Sequence, residues 1–315
     1  VQGMSTSLPT DVQEEFLRTI PGLQHAHMMR PGYAIEYDCL DPLQLEASLA
    51  VKEIAGLYSA GQANGTSGYE EAAAQGLLAG INAARACMGE EPLILRRSDG
   101  YIGVLIDDLV TKGTEEPYRM MTSRAEYRLV LRQDNADLRL TPIGRRIGLV
   151  SDARWARFTA KRDAIEMALA QLRETRLSPS AATEERLAAA GIPPLRTPMT
   201  LFALLAREGD YRALAAVFDL PPLADDVREE VEIMARYDGY IRKQEEQIAR
   251  MERLEARRIP ADIDYAAIGS LRLEAAEKLA AVRPRSIGQA SRISGVSPAD
   301  ISVLLVWLEK ERRMN

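Results

Sequence analysis

Residues 56–80 read Gly56-Leu57-Tyr58-Ser59-Ala60-Gly61-Gln62-Ala63-Asn64-Gly65-Thr66-Ser67-Gly68-Tyr69-Glu70-Glu71-Ala72-Ala73-Ala74-Gln75-Gly76-Leu77-Leu78-Ala79-Gly80. Six glycines fall in these 25 residues. Leu57–Ala60 is short, apolar and followed at once by glycine, which predicts a buried strand. A glycine loop, Gly61–Gly68, comes next. Tyr69–Arg85 then reads as a helix, with Glu70 and Glu71 in the first turn, where the helix dipole favours acids. Gly76 and Gly80 disfavour a helix; their spacing of four predicts that another backbone packs close to that face. Strand, glycine loop and helix start together make a ligand cradle. The first helical N–H groups have no partner in the helix, the helix end carries partial positive charge suited to a phosphate or an anionic ring, and glycine lets a ligand approach the backbone. Gln62, Asn64 and Thr66 add polar side chains to the rim. A tight turn with close helix packing is the alternative. The dinucleotide fingerprint G-x-G-x-x-G occurs neither here nor elsewhere in the chain.

Working outward, residues 1–50 are rich in turn signals: Pro9-Thr10-Asp11, Pro21-Gly22, Pro31-Gly32 and Asp41-Pro42. Asp11–Ile20 fits a short helix and Tyr33–Tyr37 a strand. Tyr127–Arg132 alternates, which predicts a strand with a basic face made by Arg128 and Arg132. Asp134-Asn135-Ala136-Asp137 caps a short helix, and Thr141-Pro142 opens another. Beyond residue 150 the strand signals vanish. Helices are expected over Trp155–Arg173, Met199–Glu208, Asp210–Phe218 and Val227–Arg258, the last stopping before Pro260 with most of its charges on a solvated face. Three more occupy the last 45 residues, with capping boxes at Ser286-Ile287-Gly288-Gln289 and Ser297-Pro298-Ala299-Asp300.

The 315 residues suffice for two domains. Hydrophobic residues make up 46% and charged residues 27%, the balance of a soluble chain with a real core; aromatics are only 5%. No apolar run approaches the roughly 18 residues that span a bilayer, and no signal peptide is evident. The chain opens on Val1, which predicts a cut end of a longer protein. Cys39 and Cys87 form no C-x-x-C, as expected of a reduced cytosolic compartment. Together with His25 and His27 they lack ligand spacing, so no metal site is expected. The net charge of −6 does not mark a nucleic-acid binder. Between Lys112 and Arg146, however, 8 basic residues face 5 acids, a local basic stripe.

Residues 61–76 resemble a signature of the MnmG/GidA family, the flavin subunit of the tRNA wobble-uridine carboxymethylaminomethyl modification enzyme. Further matches run over Arg30–Asp38, Asp107–Thr114, Thr122–Leu129 and Arg292–Val296. Members of that family are about twice this length, and this chain resembles their C-terminal half. The resemblance implies an α/β part, the C-terminal portion of a Rossmann-like FAD-binding domain, followed by a mostly α-helical C-terminal domain. The expected units are 1–150 (FAD-binding portion with a basic connecting segment), 151–260 (helical) and 261–315 (a partner-docking helical subdomain).

The resemblance further implies FAD, with Gly61, Gln62, Asn64, Gly65, Thr66 and Gly68 closing over the flavin and the start of the following helix aimed at the flavin N1 and C2 carbonyl. NADH reduces FAD, and methylenetetrahydrofolate donates the one-carbon unit placed on C5 of the wobble uridine. The implied partners are tRNA, the GTPase MnmE and a second copy of the chain, in the cytoplasm, with neither DNA nor a membrane involved. Lys112, Arg119, Arg124 and Arg128 become tRNA-contact candidates, because arginine grips phosphates and stacks on bases; pairing with Glu115, Glu116 and Glu126 is the alternative. The main NADH segment and the catalytic cysteines belong to the missing half, so no catalytic residue is assigned and this chain alone is expected to be inactive. Gln289–Ser302 also resembles a repressor helix-turn-helix, giving a rival reading as a nucleic-acid-binding or scaffold protein without enzymatic activity. Against it, the second helix reads Ile301-Ser302-Val303-Leu304-Leu305-Val306-Trp307-Leu308, without the polar side chains a groove requires; it is a helix built to be buried.

Overall fold

A computed structural model describes residues 3–34 and 36–314, the side chains of 312–314 excepted. Helix α1 (Thr10–Arg18) is followed by turns and then by α2 (Tyr69–Cys87), which starts at the expected residue. Helix α3 (Tyr101–Lys112) is buried along most of its length, including Val104, Leu105, Ile106 and Leu109. Leu45, Leu49, Leu78, Leu105 and Leu109 form the core between α2, α3 and the 45–59 hairpin. A small adjoining cluster joins Val104 to Ala125, Tyr127 and Leu131.

The expected Rossmann-like sheet is not formed among the described residues. Val51 N donates to Leu57 O and Ser59 N to Leu49 O, so Leu57–Ala60 closes a tight hairpin with a single bridge, Ala50 to Tyr58. One bridge is not a ladder, and a strand exists only while successive residues keep a partner; Leu57 itself is exposed. Tyr127–Arg132 is a turn, since Val130 N and Leu131 N both donate to Tyr127 O. Tyr127 and Leu131 are both buried because residues four apart share a side in helical geometry. The strand expected over Tyr33–Tyr37 includes Ile35, which lies outside the described residues; the residues flanking Ile35 take no regular structure.

Helix α4 (Ala136–Arg146) runs through Pro142, so Thr141-Pro142 does not open a second helix. Pro142 lacks the N–H that would bond the Leu138 carbonyl. Helix α5 (Asp152–Glu174) leads into β1 (Arg176–Leu177), α6 (Ala181–Ala189), β2 (Met199–Thr200), α7 (Leu201–Glu208), α8 (Tyr211–Phe218) and α9 (Asp225–Glu255). β1 and β2 pair antiparallel, Arg176 with Thr200 and Leu177 with Met199, in the half where no strand is expected. The sidechains of Ser151, Ser180, Thr200 and Asp210 each accept an N–H in the first turn of the helix that follows. Leu169, Leu172, Leu201, Leu204, Leu205, Leu214 and Val231 are the centre of this helical core.

Helices α10 (Leu273–Val282), α11 (Ile287–Ala290) and α12 (Pro298–Met314) follow. Ser286 caps α11, and Ser297 and Asp300 exchange the two bonds of a capping box. Ile259, Leu279, Ile287, Ile293, Ile301 and Leu304 build the core of this bundle, and Leu43 from the N-terminal part packs on it. Helix α12 is buried on one side only: Leu304 is inaccessible, whereas Val306 is 70% exposed. The run Ile301–Leu308, apolar but for Ser302, therefore makes an amphipathic helix, not a wholly buried one.

Candidate functional site

The glycine loop is assembled by one residue, Gln75, wholly buried on α2. Its Oε1 accepts from Gly61 N at 3.1 Å and from Asn64 Nδ2 at 2.8 Å. Its Nε2 donates to Thr66 Oγ1 at 2.9 Å and to Glu71 O at 3.1 Å. Asn64 also donates to Ser59 O, and the Thr66 hydroxyl donates to Gly61 O. Asn64 and Thr66 are thus framework, turned into the loop, while the Gln62 side chain and Ala63 face outward. Asn64 Oδ1 is buried without a hydrogen-bond partner among the described residues. Buried acceptors are paired in most folds, so this one fits a loop completed by a further donor group. Gly61 and Gly65 are buried, and Gly65 takes a left-handed conformation (φ 75°) beside Thr114.

The start of α2 differs from expectation. Gly68 has φ 134°, and a Cβ there would lie 2.0 Å from Glu71 Oε2. The Glu71 carboxylate is buried, folds back against Gly68 and accepts from Met120 N at 2.8 Å. The positive end of α2 is therefore met by the chain's own carboxylate, not left open for an anionic ring. Gly76 and Gly80 are also unlike the expectation: among the described residues, no other segment lies within 4 Å of a Cβ built at either one. Tyr69 and Leu77, on the same helix, are 93% and 63% exposed.

Backbone pairing joins the loop to the basic segment. Ser67 N donates to Tyr118 O and Tyr118 N to Gly65 O, with Thr66 and Tyr118 bridged in parallel. The buried Tyr118 hydroxyl donates to Asp108 Oδ2 at 2.9 Å, and burial followed by the Asp108 charge raises its pKa. The Arg124 guanidinium lies 4.2 Å over the Tyr118 ring. Arg119, Arg124 and Arg128 are exposed and make no ion pair among the described residues. Lys112 does: its Nζ is 2.7 Å from Asp108 Oδ1.

The alternative pairing of these arginines with Glu126 is not what forms. Glu126 is held by Arg97, through Nε to Oε1 at 2.7 Å and Nη2 to Oε2 at 2.8 Å. Arg97 also donates to Asp107 and Asp108 from Nη1, at 3.0 and 2.8 Å. Burial opposes the charge on Arg97, but the Glu126 hydrogen bond and the Asp108 and Asp107 charges outweigh it, so its pKa is raised. Burial would raise Asp108, yet Lys112 and Arg97 hold its pKa below the ordinary carboxylate value. Beside this cluster opens a cleft of about 640 Å³, bounded by Arg96, Arg97, Asp107, Tyr127, Glu255 and Arg292. Neither Gln62 nor Arg119, Arg124 or Arg128 lines it. Gln75 and Arg97 escape sequence reasoning. The one available signal for Gln75 is a lone amide among alanines, four residues after Glu71.

Comparison with known proteins bears on the whole chain. Family models described as glucose inhibited division protein A, as the MnmG/GidA C-terminal helical domain and as the MnmG/GidA C-terminal helical bundle match residues 1–91, 152–245 and 247–315. The chain belongs to the MnmG/GidA family. It is 58% identical to the tRNA uridine 5-carboxymethylaminomethyl modification enzyme MnmG of Caldicellulosiruptor saccharolyticus and 56% identical to that of Clostridium novyi. Each alignment covers 99% of this chain and 50% of the relative. The chain thus spans about half the length of the curated relatives it matches. Aquifex aeolicus GidA, solved in two crystal forms, superposes with TM-scores of 0.80 and 0.77 at 44% identity, over 96% of this chain and 48% and 47% of GidA. Within this MnmG/GidA chain, residues 92–151 lie between the matched spans and carry Arg97, Arg119, Arg124 and Arg128.

Proposed function

We propose that this chain is the part of a flavin-dependent tRNA-modifying protein that closes over the flavin and carries the RNA and partner surfaces. The observation that carries this reading is the bridge between Thr66 and Tyr118, which holds the glycine loop against a segment whose three arginines are free of ion pairs among the described residues. Exposed, unpaired arginines suit phosphates and unstacked bases. Family membership supports the rest: a carboxymethylaminomethyl group added to C5 of the wobble uridine, with NADH and methylenetetrahydrofolate, by a cytoplasmic homodimer acting with the GTPase MnmE.

Bound FAD would supply the electron-pair transfer. On this chain, the outward-facing Gln62 and Ala63 would face it, while the close approaches that Gly65 and Gly68 permit are taken by Thr114 and Glu71 of the same chain. Asn64 and Thr66 hold that surface rigid through Gln75. The amide end of α2 is not assigned to the flavin, because Glu71 lies there. Lys112 keeps Asp108 ionised beneath the segment, and Arg119, Arg124 and Arg128 take the RNA contacts. Residues 1–150, 151–260 and 261–315 correspond to the flavin-covering portion, a helical spacer and the docking subdomain.

The test is binding of a tRNA anticodon stem-loop across a salt series, read by fluorescence anisotropy. Arg119→Ala, Arg124→Ala and Arg128→Ala combined are expected to reduce the log–log salt slope by about 2–3, at about 0.7–0.9 per phosphate contact. An unchanged slope and affinity would reject these contacts. In the intact protein, deletion of 261–315 should abolish the complex with the GTPase and leave flavin absorbance in place.

A further inference from the structure

We infer that Asp107 is a charged joint through which the position of the C-terminal bundle controls the order of the basic segment 118–128. Arg292, just after α11, forks onto Asp107 with Nε to Oδ2 at 2.7 Å and Nη2 to Oδ1 at 2.8 Å, across 185 residues of sequence. The same Oδ2 takes Arg97 Nη1 at 3.0 Å. Arg97 in turn holds Glu126 and reaches the Arg124 carbonyl at 3.4 Å. Bundle, α3 and basic segment therefore meet at one carboxylate. The Asp107 and Arg292 side chains are only 16% and 13% exposed, so the pair is poorly screened by water. Leu43 also packs on the bundle, and a further ion pair, Arg285 to Glu46, is half exposed and contributes little.

The direction of the coupling follows from counting charges. Three carboxylates (Asp107, Asp108 and Glu126) surround Arg97, and Glu255 lies against Arg292, so four carboxylates share the three cations Arg97, Lys112 and Arg292. Withdrawing Arg292 leaves Asp107, Asp108 and Glu126 sharing Arg97 and Lys112, and takes from Glu255 its cation, in a half-dry site where like charges at this range repel. The carboxylate most easily returned to water is Glu126, 38% exposed against 16% for Asp107 and 3% for Asp108. Its departure loosens the turn that carries Arg124 and Arg128, which Gln244 on α9 still holds at Glu126 O and Val130 N. A docked bundle keeps the segment ordered; a bundle drawn away releases it. The consequence for RNA affinity rests on the arginine contacts proposed above, whereas the joint itself does not.

The test is hydrogen–deuterium exchange on this chain with Arg292→Met. Peptides covering 122–128 should exchange about 5- to 30-fold faster, the response to a local loss of one or two kcal/mol. Peptides from the 165–205 core, which holds no member of the cluster, should be unchanged. Arg292→Lys, which keeps the charge, should restore most of the protection. In a Glu126→Gln background, where the carboxylate excess around Arg97 is smaller, Arg292→Met should have a smaller effect; a purely packing role for Arg292 predicts the same effect in both backgrounds. Unchanged exchange of 122–128 in Arg292→Met overturns the joint, and so does equal acceleration in the two backgrounds. Anticodon stem-loop binding, measured in parallel, judges the RNA reading separately: failure of wild type to bind rejects that reading and leaves the exchange result standing.

Discussion

Replacing Gln75 with glutamate tests the glycine loop most sharply, because shape is kept and only hydrogen-bond polarity changes. In wild type, Gln75 accepts from Gly61 N and Asn64 Nδ2 and donates to Thr66 Oγ1 and Glu71 O. A carboxylate preserves both accepted bonds. It has no proton for the Glu71 carbonyl and brings negative charge into a site of zero exposure. The folded state therefore retains the proton, and the pKa of the new carboxyl rises above its unfolded value of about 4.3. A carboxyl with a raised folded pKa destabilises nothing below that unfolded value. Its penalty grows as pH rises and levels off above the folded pKa. If the proton were held throughout, the loss would reach about 3.7 kcal/mol at pH 7, which is the ceiling. One lost neutral hydrogen bond adds ~1 kcal/mol at every pH. Gln75→Glu should thus be about 2–4 kcal/mol less stable than wild type at pH 7 and recover most of that by pH 4.5. Urea unfolding followed by circular dichroism, with wild type subtracted at each pH, measures it, and exchange of the 61–68 amides locates it. A difference below ~0.5 kcal/mol at pH 7, the scatter of ordinary surface substitutions, with unchanged loop exchange, would refute Gln75 as the hub.

Gly68→Ala should cost about 1–3 kcal/mol from backbone strain alone and dislodge Glu71 from Met120 N, seen as faster exchange over 65–72, whereas Gly76→Ala, in an open helical position, should raise stability by up to about 1 kcal/mol. Leu204→Ala, at a position with no accessible surface on α7, should lower unfolding free energy by about 2–5 kcal/mol without altering RNA binding. Glu230 on α9 has its pKa pushed up to about 7 by burial and by Asp134, against Arg132. The folded state therefore holds its proton more tightly than the unfolded chain, and stability declines as pH rises from about 4.5 through 7. Glu230→Gln should remove that decline; a difference curve flat from pH 5 to 8 would reject it.

Much of the helical fold is legible in the sequence. Tyr69 as the first residue of α2, Asp210 before α8 and Ser286 before α11 were all readable, because a cap and an apolar stripe are set by residues within one or two turns. Helix α3 was not, since a helix buried on nearly every side has no polar face to reveal its period. The place of the glycine loop was also legible, as was the excess of arginine after Lys112. Which loop side chains are framework was not: Asn64 and Thr66 look like rim residues until Gln75 is folded back over them.

The sequence by itself therefore determined the family, most of the helices and several of their caps, and the location of the glycine loop, all carried by short-range or strongly patterned signals. Tertiary structure alone decided that Leu57–Ala60 and Tyr127–Arg132 are not strands, because a strand is defined by a partner and not by its own alternation. It alone decided which arginines are free. Arg97 claims Glu126 from 29 residues away and Arg292 claims Asp107 from 185. Charge pairing depends on distance through space, and no periodicity along the chain records it.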